Sequence, residues 1–170
     1  MTMTPFTVTE QDLRPLDRFA LHWRWTDERY DVLIPDELAR IRPLSLALAH
    51  LAWERSQTWH TSASADPAPS GRFFEAIEYL DSPDTTGGQK WLERRLPTAS
   101  VQMVVSWQPD LAVLTDTALF ARRWGSFCYP SSDDVDAWPL DYSWVVTYWH
   151  EGRLYYGQCR RRQVSARTLG

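Results

Sequence analysis

The chain has 170 residues, of which 44% are hydrophobic and 24% charged, and these values are typical of a soluble globular protein. Its 18 basic and 22 acidic residues give a formal net charge of -4, so it lacks the basic footprint by which nucleic-acid-binding proteins are recognised. No apolar run approaches the roughly 18 residues that a membrane span requires. We therefore expect neither a nucleic-acid nor a membrane partner.

The length predicts a single domain over residues 1–170. Polar composition predicts loosely ordered ends at 1–11 and 163–170. A run of small and helix-breaking residues predicts a flexible loop at 60–71.

The two cysteines, Cys128 and Cys159, are too few for a disulfide framework. The first eleven residues lack the basic and apolar segments of a secretory signal, and the sequence carries no lipidation motif. The simplest expectation is a cytoplasmic protein whose thiols are reduced.

Helical patterns dominate the first half of the chain, after one predicted strand. Alternating aromatic residues predict that strand over 19–25. Pro35, followed by two acidic residues, is typical of a helix start, and Pro43 interrupts the helical pattern that follows. The predicted helices are 36–41, 43–59, 72–80 and 89–96.

Strand patterns dominate the second half of the chain. Asp116 or Thr115 is placed to cap one further helix, which is predicted to reach Trp124 and to end at Gly125. The predicted strands are 101–107, 111–114 and the two strands of a C-terminal hairpin, 143–159. The sequence therefore predicts an α+β fold with a mainly antiparallel sheet and with helices from the first half packed on one face.

The segment 127–139 has the most unusual composition, because aromatic residues there flank hydroxyl groups and three acids. Carboxylates at such spacing are ligands that Mg²⁺ accepts, but serine and aspartate clusters also form turns by bonding to nearby backbone N–H groups. No motif for a metal or a nucleotide accompanies the segment, and we expect no metal and no cofactor. The predicted binding residues are Tyr129, Ser131, Ser132, Asp133, Asp134, Asp136 and Trp138.

Ten tryptophans form the second unusual feature of the composition. Most of them must lie in the core, because each ring buries a large area. Trp59 and Trp138 border predicted loops, so they are expected to be the most exposed. Exposed tryptophan beside arginine and acidic residues is the composition of a protein–protein hot spot.

Residues 124–135, WGSFCYPSSDDV, precede an apolar strand and a short hairpin. This arrangement resembles short soluble bacterial proteins of unknown function that carry a W-x-x-F-CYPSSDDV element before a closing hairpin. Residues 38–53 resemble the N-terminal helical part of those proteins. The resemblance implies a soluble bacterial single-domain protein, and it transfers no activity and no catalytic residue. Small acidic tryptophan-rich bacterial proteins of similar composition are often immunity proteins of toxin systems.

These observations favour a non-enzymatic protein-binding domain of an immunity or antitoxin type, whose acidic loop caps a basic toxin or another basic protein. Two alternatives stay open. A hydrolase-like enzyme acting on a small molecule would place its site near the 128–136 loop, pairing His150 or His22 with Cys128 or Ser132. A self-associating structural domain would bury exposed aromatic residues against a second copy. The sequence does not set the oligomeric state.

Overall fold

The computed structural model describes residues 5–60 and 66–160. Its strands are β1 Arg42–Pro43, β2 Phe74–Asp81, β3 Gln102–Gln108, β4 Leu111–Asp116, β5 Val135–Pro139, β6 Trp144–Trp149 and β7 Arg153–Cys159. They form one seven-stranded sheet in the order β1-β4-β3-β5-β6-β7-β2. Every pair of neighbours is antiparallel. The predicted α+β class and antiparallel sheet are therefore confirmed.

The helices of the described residues are mostly short. They are α1 Trp23–Thr26, α2 Pro35–Leu38, α3 Leu46–Gln57, α4 Thr85–Glu93, α5 Thr117–Arg122 and α6 Trp124–Phe127. Within the described residues, no helix combines the length and the apolar character that crossing a membrane requires.

Both faces of the sheet are covered, whereas the sequence predicted helices on one face. Alternation on β3 sends Met103 and Val105 to one apolar cluster and Val104 to another. Residues of α4, α5 and α6 complete the first cluster, and residues of α3 complete the second. The central strands β3, β5 and β6 are buried almost throughout, so neither face is left to water.

The predicted strand 19–25 is wrong. The N–H of His22 donates to the Phe19 carbonyl at 3.0 Å, and the N–H of Trp25 donates to the His22 carbonyl at 3.1 Å. Hydrogen bonds between residues three apart are those of helical turns and do not occur within an extended strand. This coil brings the rings of Phe19 and Trp25 together, with centroids 6.1 Å apart. The alternation of aromatic residues thus reflects packing of a turn and of α1, and it does not reflect a pleated strand.

The predicted helix 72–80 is also wrong, because this segment forms the edge strand β2 beside β7. The register shifts between Glu75 and Glu78, and Ala76 has a positive φ of 49°. This bulge inserts a residue and breaks the period of two. The apolar positions then recur at a spacing that imitates a helix.

Other boundaries move by a few residues. Pro43 lies in β1, and α3 begins only after Ser45, whose hydroxyl accepts from the N–H of Leu48 at 3.3 Å. Asp116 caps α5 as predicted, but α5 ends at Arg122, and Gly125 lies inside α6. The C-terminal hairpin 143–159 is confirmed by the pairing of β6 with β7.

Of the segments predicted to be loose or flexible, residues 1–4, residues 61–65 and the whole of 163–170 lie outside the described residues. Of the N-terminal segment, Phe6 is buried, and its N–H donates to the Leu140 carbonyl at 2.8 Å. Of the 60–71 loop, His60 and Pro69 form an antiparallel bridge.

A substitution at Gly88 tests how closely α4 packs against α6. A Cβ on Gly88 would lie 2.4 Å from the Trp124 ring, so we expect Gly88→Ala to lower the free energy of unfolding by about 1–3 kcal/mol. Gly125→Ala is the matched control, because its Cβ meets nothing within 4 Å. It should leave stability unchanged or raise it by up to about 1 kcal/mol. Urea denaturation measures both, and equal effects would contradict the packing described.

Candidate functional site

The segment from α6 into β5 sends its three predicted acidic residues to three different places. Asp133 and Asp136 are buried, with exposed fractions of 7% and 6%. The Asp134 side chain is 58% exposed. The predicted acidic loop therefore has one exposed carboxylate, and the two others lie on opposite sides of the segment.

Asp133 forms a buried ion pair with Arg24 of α1. The guanidinium donates two hydrogen bonds, Nη1 to Oδ2 at 2.5 Å and Nη2 to Oδ1 at 3.0 Å. The same carboxylate accepts from the N–H of Tyr129 at 2.8 Å, and the N–H of Asp133 donates to the Tyr129 carbonyl at 3.2 Å. The pair thus closes the 129–133 turn and fastens it to α1.

An aromatic cluster of Trp23, Tyr30 and Tyr129 lies over this ion pair. The ring centroids are 4.6 Å apart for Trp23 and Tyr30, 5.8 Å for Trp23 and Tyr129, and 6.2 Å for Tyr30 and Tyr129. The Arg24 guanidinium lies 4.2 Å from the centroid of the Tyr129 ring. Tyr30 is 44% exposed, so the cluster forms part of the protein surface.

Asp136 faces the opposite side, towards α3. Its Oδ1 accepts from the Thr147 hydroxyl at 2.7 Å, and its Oδ2 lies 2.9 Å from Nε2 of His60. Nδ1 of His60 lies 2.7 Å from the Pro67 carbonyl oxygen. A carboxylate and a carbonyl only accept hydrogen bonds, so this geometry suits an imidazolium that carries protons on both nitrogens.

The pKa of His60 agrees with this geometry. Burial lowers the pKa of the imidazole, but the charge and hydrogen bond of Asp136, the bond to Pro67 and the charge of Asp134 raise it more. The net pKa lies above the ordinary value of 6.5. His60 therefore keeps its positive charge to a higher pH than an exposed histidine does.

A cavity of about 230 Å³ opens between α3 and the sheet beside this pair. Its lining includes Trp53, His60, Ser106, Asp134, Asp136 and Thr147. Ser106 and Thr147 are the cross-strand neighbours of Asp136 on either side. The Ser106 hydroxyl is buried and has no hydrogen-bond partner among the described residues.

The expectation that Trp59 and Trp138 are exposed is wrong. Their exposed fractions are 1% and 0%, and their rings meet edge to face with centroids 4.8 Å apart. Trp138 lies two positions after Asp136 on β5, so alternation places both on the face that α3 covers. Phe6 closes the same cluster from the N-terminal segment. Trp138 is a core residue here and presents no surface to a partner.

The two predicted serines lie at the tip of the turn and are exposed. Ser131 has a positive φ of 65°, and its N–H donates to the His150 carbonyl at 3.0 Å. The Ser132 hydroxyl donates to Oδ1 of Asp133 at 3.3 Å. The Ser131 bond fixes the turn against the β6–β7 connection, and the Ser132 bond lies within the turn.

The geometry does not assemble the hydrolytic dyad considered from the sequence. Cys128 is buried, and burial raises the pKa of its thiol well above the ordinary value, which keeps it protonated and unreactive. Nδ1 of His150 lies 2.8 Å from Asp134, and Nδ1 of His22 lies 2.7 Å from the Phe19 carbonyl. Within the described ranges, neither histidine is hydrogen-bonded to Cys128 or Ser132.

The magnesium alternative does not fit the geometry either, because Asp133, Asp134 and Asp136 diverge. Over residues 5–60 and 66–160, no three side chains of His, Cys, Asp or Glu are placed to share a metal ion.

Several residues of the site were not predicted from the sequence. His60 and Ser106 are distant from Asp136 in the sequence, and only the tertiary structure brings them together. Trp23 and Tyr30 contact Tyr129 only because residues 23–26 form the helix α1. One feature of the sequence did point to Ser106. Residues of β3 alternate between the two faces of the sheet, so Ser106 lies on the same face as Val104 and gives that face a polar position.

Comparison of the chain with protein-family models, curated proteins and solved structures finds no match in any of the three.

The Arg24–Asp133 pair generates a stability prediction. Asp133→Asn leaves a buried guanidinium without its counter-charge, so we expect the free energy of unfolding to fall by about 3–5 kcal/mol. Arg29→Ala is the control, since it breaks the surface pair with Asp27, in which the arginine side chain is 76% exposed. That change should have little effect. Chemical denaturation distinguishes the two, and a small loss for Asp133→Asn would contradict the structural role assigned to the pair.

The His60–Asp136 pair generates a pH dependence. Because the folded pKa of His60 is raised, its contribution to stability is complete below about pH 6.5 and is lost as the pH rises through the raised value. We therefore expect the wild-type free energy of unfolding to decrease over that interval and His60→Gln to remove the part of that decrease that His60 contributes.

His150→Gln serves as the control for this titration, because the bond to Asp134 also raises the pKa of the exposed His150. The His60 component should persist in that variant. Urea denaturation across the pH range measures the effect, and an unchanged profile in His60→Gln would show that the pair does not hold its proton as described.

Proposed function

We propose that the chain is a non-enzymatic protein-binding domain whose contact surface is the aromatic cluster of Trp23, Tyr30 and Tyr129. The observation that carries the proposal is the seating of these rings on the buried Arg24–Asp133 pair. Tyrosine, tryptophan and arginine at the centre of a surface are the residues that dominate binding energy in protein interfaces.

The ion pair prepares this surface for binding. Arg24 donates to Asp133 and at the same time lies against the Tyr129 ring, so the ring position follows from a buried bidentate contact. Side chains that are already ordered lose little conformational entropy when a partner binds. Two exposed apolar side chains, Val32 and Ile34, follow Tyr30 in the segment before α2.

The charge around the cluster favours a basic partner. Segment 27–37 contains five acidic residues and one arginine. Among the described ion pairs, Asp27, Asp31 and Glu37 are matched by arginines, and the exposed Glu28 and Asp36 have no such match. Unmatched carboxylates attract a partner of opposite charge and orient its approach. The partner of this proposal is therefore a basic protein, and an immunity or antitoxin role towards a basic toxin is one such case.

The decisive variant is Tyr30→Ala, because it removes an exposed ring and leaves the buried pair intact. We expect the affinity for a basic protein partner to fall at least about 30-fold, as for an interface hot spot. Tyr79→Ala is the matched control, since Tyr79 is 59% exposed on the edge strand β2. Affinity capture from a lysate of the source cells, followed by calorimetry with the purified partner, gives the comparison.

Two outcomes contradict the proposal. The first outcome is that a partner binds Tyr30→Ala and wild type equally well, which would show that the interface lies elsewhere on the protein. The second outcome is that light scattering shows self-association of the wild-type protein and that Tyr79→Ala abolishes it. This result would assign the recognition surface to the edge of β2. Weaker partner binding at higher salt is expected because the exposed charges are screened.

A further inference from the structure

The cavity between α3 and the sheet has an excess of hydrogen-bond acceptors. The donors of His60 and Thr147 are already used within the protein, because His60 bonds to Asp136 and Pro67 and the Thr147 hydroxyl donates to Asp136. The Ser56 hydroxyl donates to the Trp53 carbonyl at 3.0 Å. Each carboxylate oxygen accepts more than one hydrogen bond, so acceptor sites remain on Asp134 and Asp136.

The Ser106 hydroxyl is the second observation that points to a ligand. Ser106 is 3% exposed, its Oγ has no partner among the described residues, and it lines the cavity next to Asp136. A buried hydroxyl without a hydrogen bond costs free energy. A molecule in the cavity that donates an N–H group to this hydroxyl oxygen would reduce that cost.

The charge of the cavity selects the class of molecule. Its lining carries the carboxylates of Asp134 and Asp136 and one basic group, His60, so negative charge exceeds positive charge and disfavours an anion wherever the exposed His150 beside Asp134 is neutral. His150 contacts Asp134 from the exposed side. The indole of Trp53 forms part of the wall, and an aromatic face attracts a cation. Because no three metal-ligating side chains converge in the described residues, the geometry favours an organic cation over a metal ion.

We infer that this cavity binds a small organic cation of the guanidinium or primary ammonium type, with Ser106, Asp134 and Asp136 accepting its N–H groups. A guanidinium has five N–H donors and no acceptor, and it therefore complements the two carboxylates and the Ser106 hydroxyl oxygen. The volume of about 230 Å³ suits a small polar molecule or a single basic side chain. The inference is independent of the proposed protein interface, because it uses the opposite side of the 129–136 segment.

Titration of the folded protein with methylguanidinium chloride tests the inference. The readout is the indole N–H resonance of Trp53, assigned with the variant Trp53→Phe. We expect a saturable shift with a dissociation constant on the order of 1 mM, as suits so small a ligand. Methylurea, which has a similar shape and no charge, should produce a shift at least about tenfold weaker.

Ser106→Ala and Thr115→Val form the matched pair of variants. Both remove a buried hydroxyl that has no partner among the described residues, but Thr115 does not line this cavity. Ser106→Ala should weaken methylguanidinium binding at least about fivefold, and Thr115→Val should leave it unchanged. Asp134→Asn, a change at a side chain that is 58% exposed, should also weaken binding, and Asp141→Asn should not.

The inference is overturned if the Trp53 resonance does not saturate, if methylurea binds as well as methylguanidinium, or if Ser106→Ala and Asp134→Asn both bind like wild type. N-acetyl-arginine methylamide distinguishes the source of the cation. Binding of this compound at the affinity of methylguanidinium shows that an arginine side chain of a partner protein is admitted, and binding of methylguanidinium alone assigns the cavity to free molecules.

Discussion

The buried pair of Arg24 and Asp133 is the constraint on which the surface of this protein depends. Taking two charges out of water is costly, and the bidentate geometry together with the Tyr129 N–H offsets that cost. In return the pair joins two segments that lie 109 positions apart in the chain. The aromatic cluster exists because this junction holds Tyr129 against α1.

The alternation of side chains along β5 determines which residues form the rest of the site. On β5, Val135 and Ala137 join the cluster under α4 to α6, whereas Asp136 and Trp138 face α3. Trp138 is covered by apolar neighbours and so becomes core. Asp136 lies towards the other end of the strand, where His60 neutralises it and a cavity remains. A single alternation therefore places one predicted binding residue in the core and another beside a polar cavity.

The features that the sequence predicted correctly are those set by local chemistry. The hairpin 143–159 follows from two apolar runs around a glycine turn, and the cap of α5 follows from Asp116. The errors arise where tertiary packing overrides local pattern. The bulge at Ala76 concealed a strand, and the ring contact between Phe19 and Trp25 imitated one. The pairing of His60 with Asp136 spans 76 positions, and no local signal encodes it.

The acidic composition of the 133–136 segment thus has two physical uses. Where a protein cation is available inside the fold, as for Asp133 with Arg24, the carboxylate organises the chain and is withdrawn from recognition. Two carboxylates, Asp134 and Asp136, line the cavity with one basic group, His60. Negative charge that the protein does not balance there is available to an external cation. The same reasoning applies to the unmatched acids near the aromatic cluster. Under the proposed function, the candidates for recognition are therefore the carboxylates that the fold leaves uncompensated, and the density of acids in the sequence does not by itself locate them.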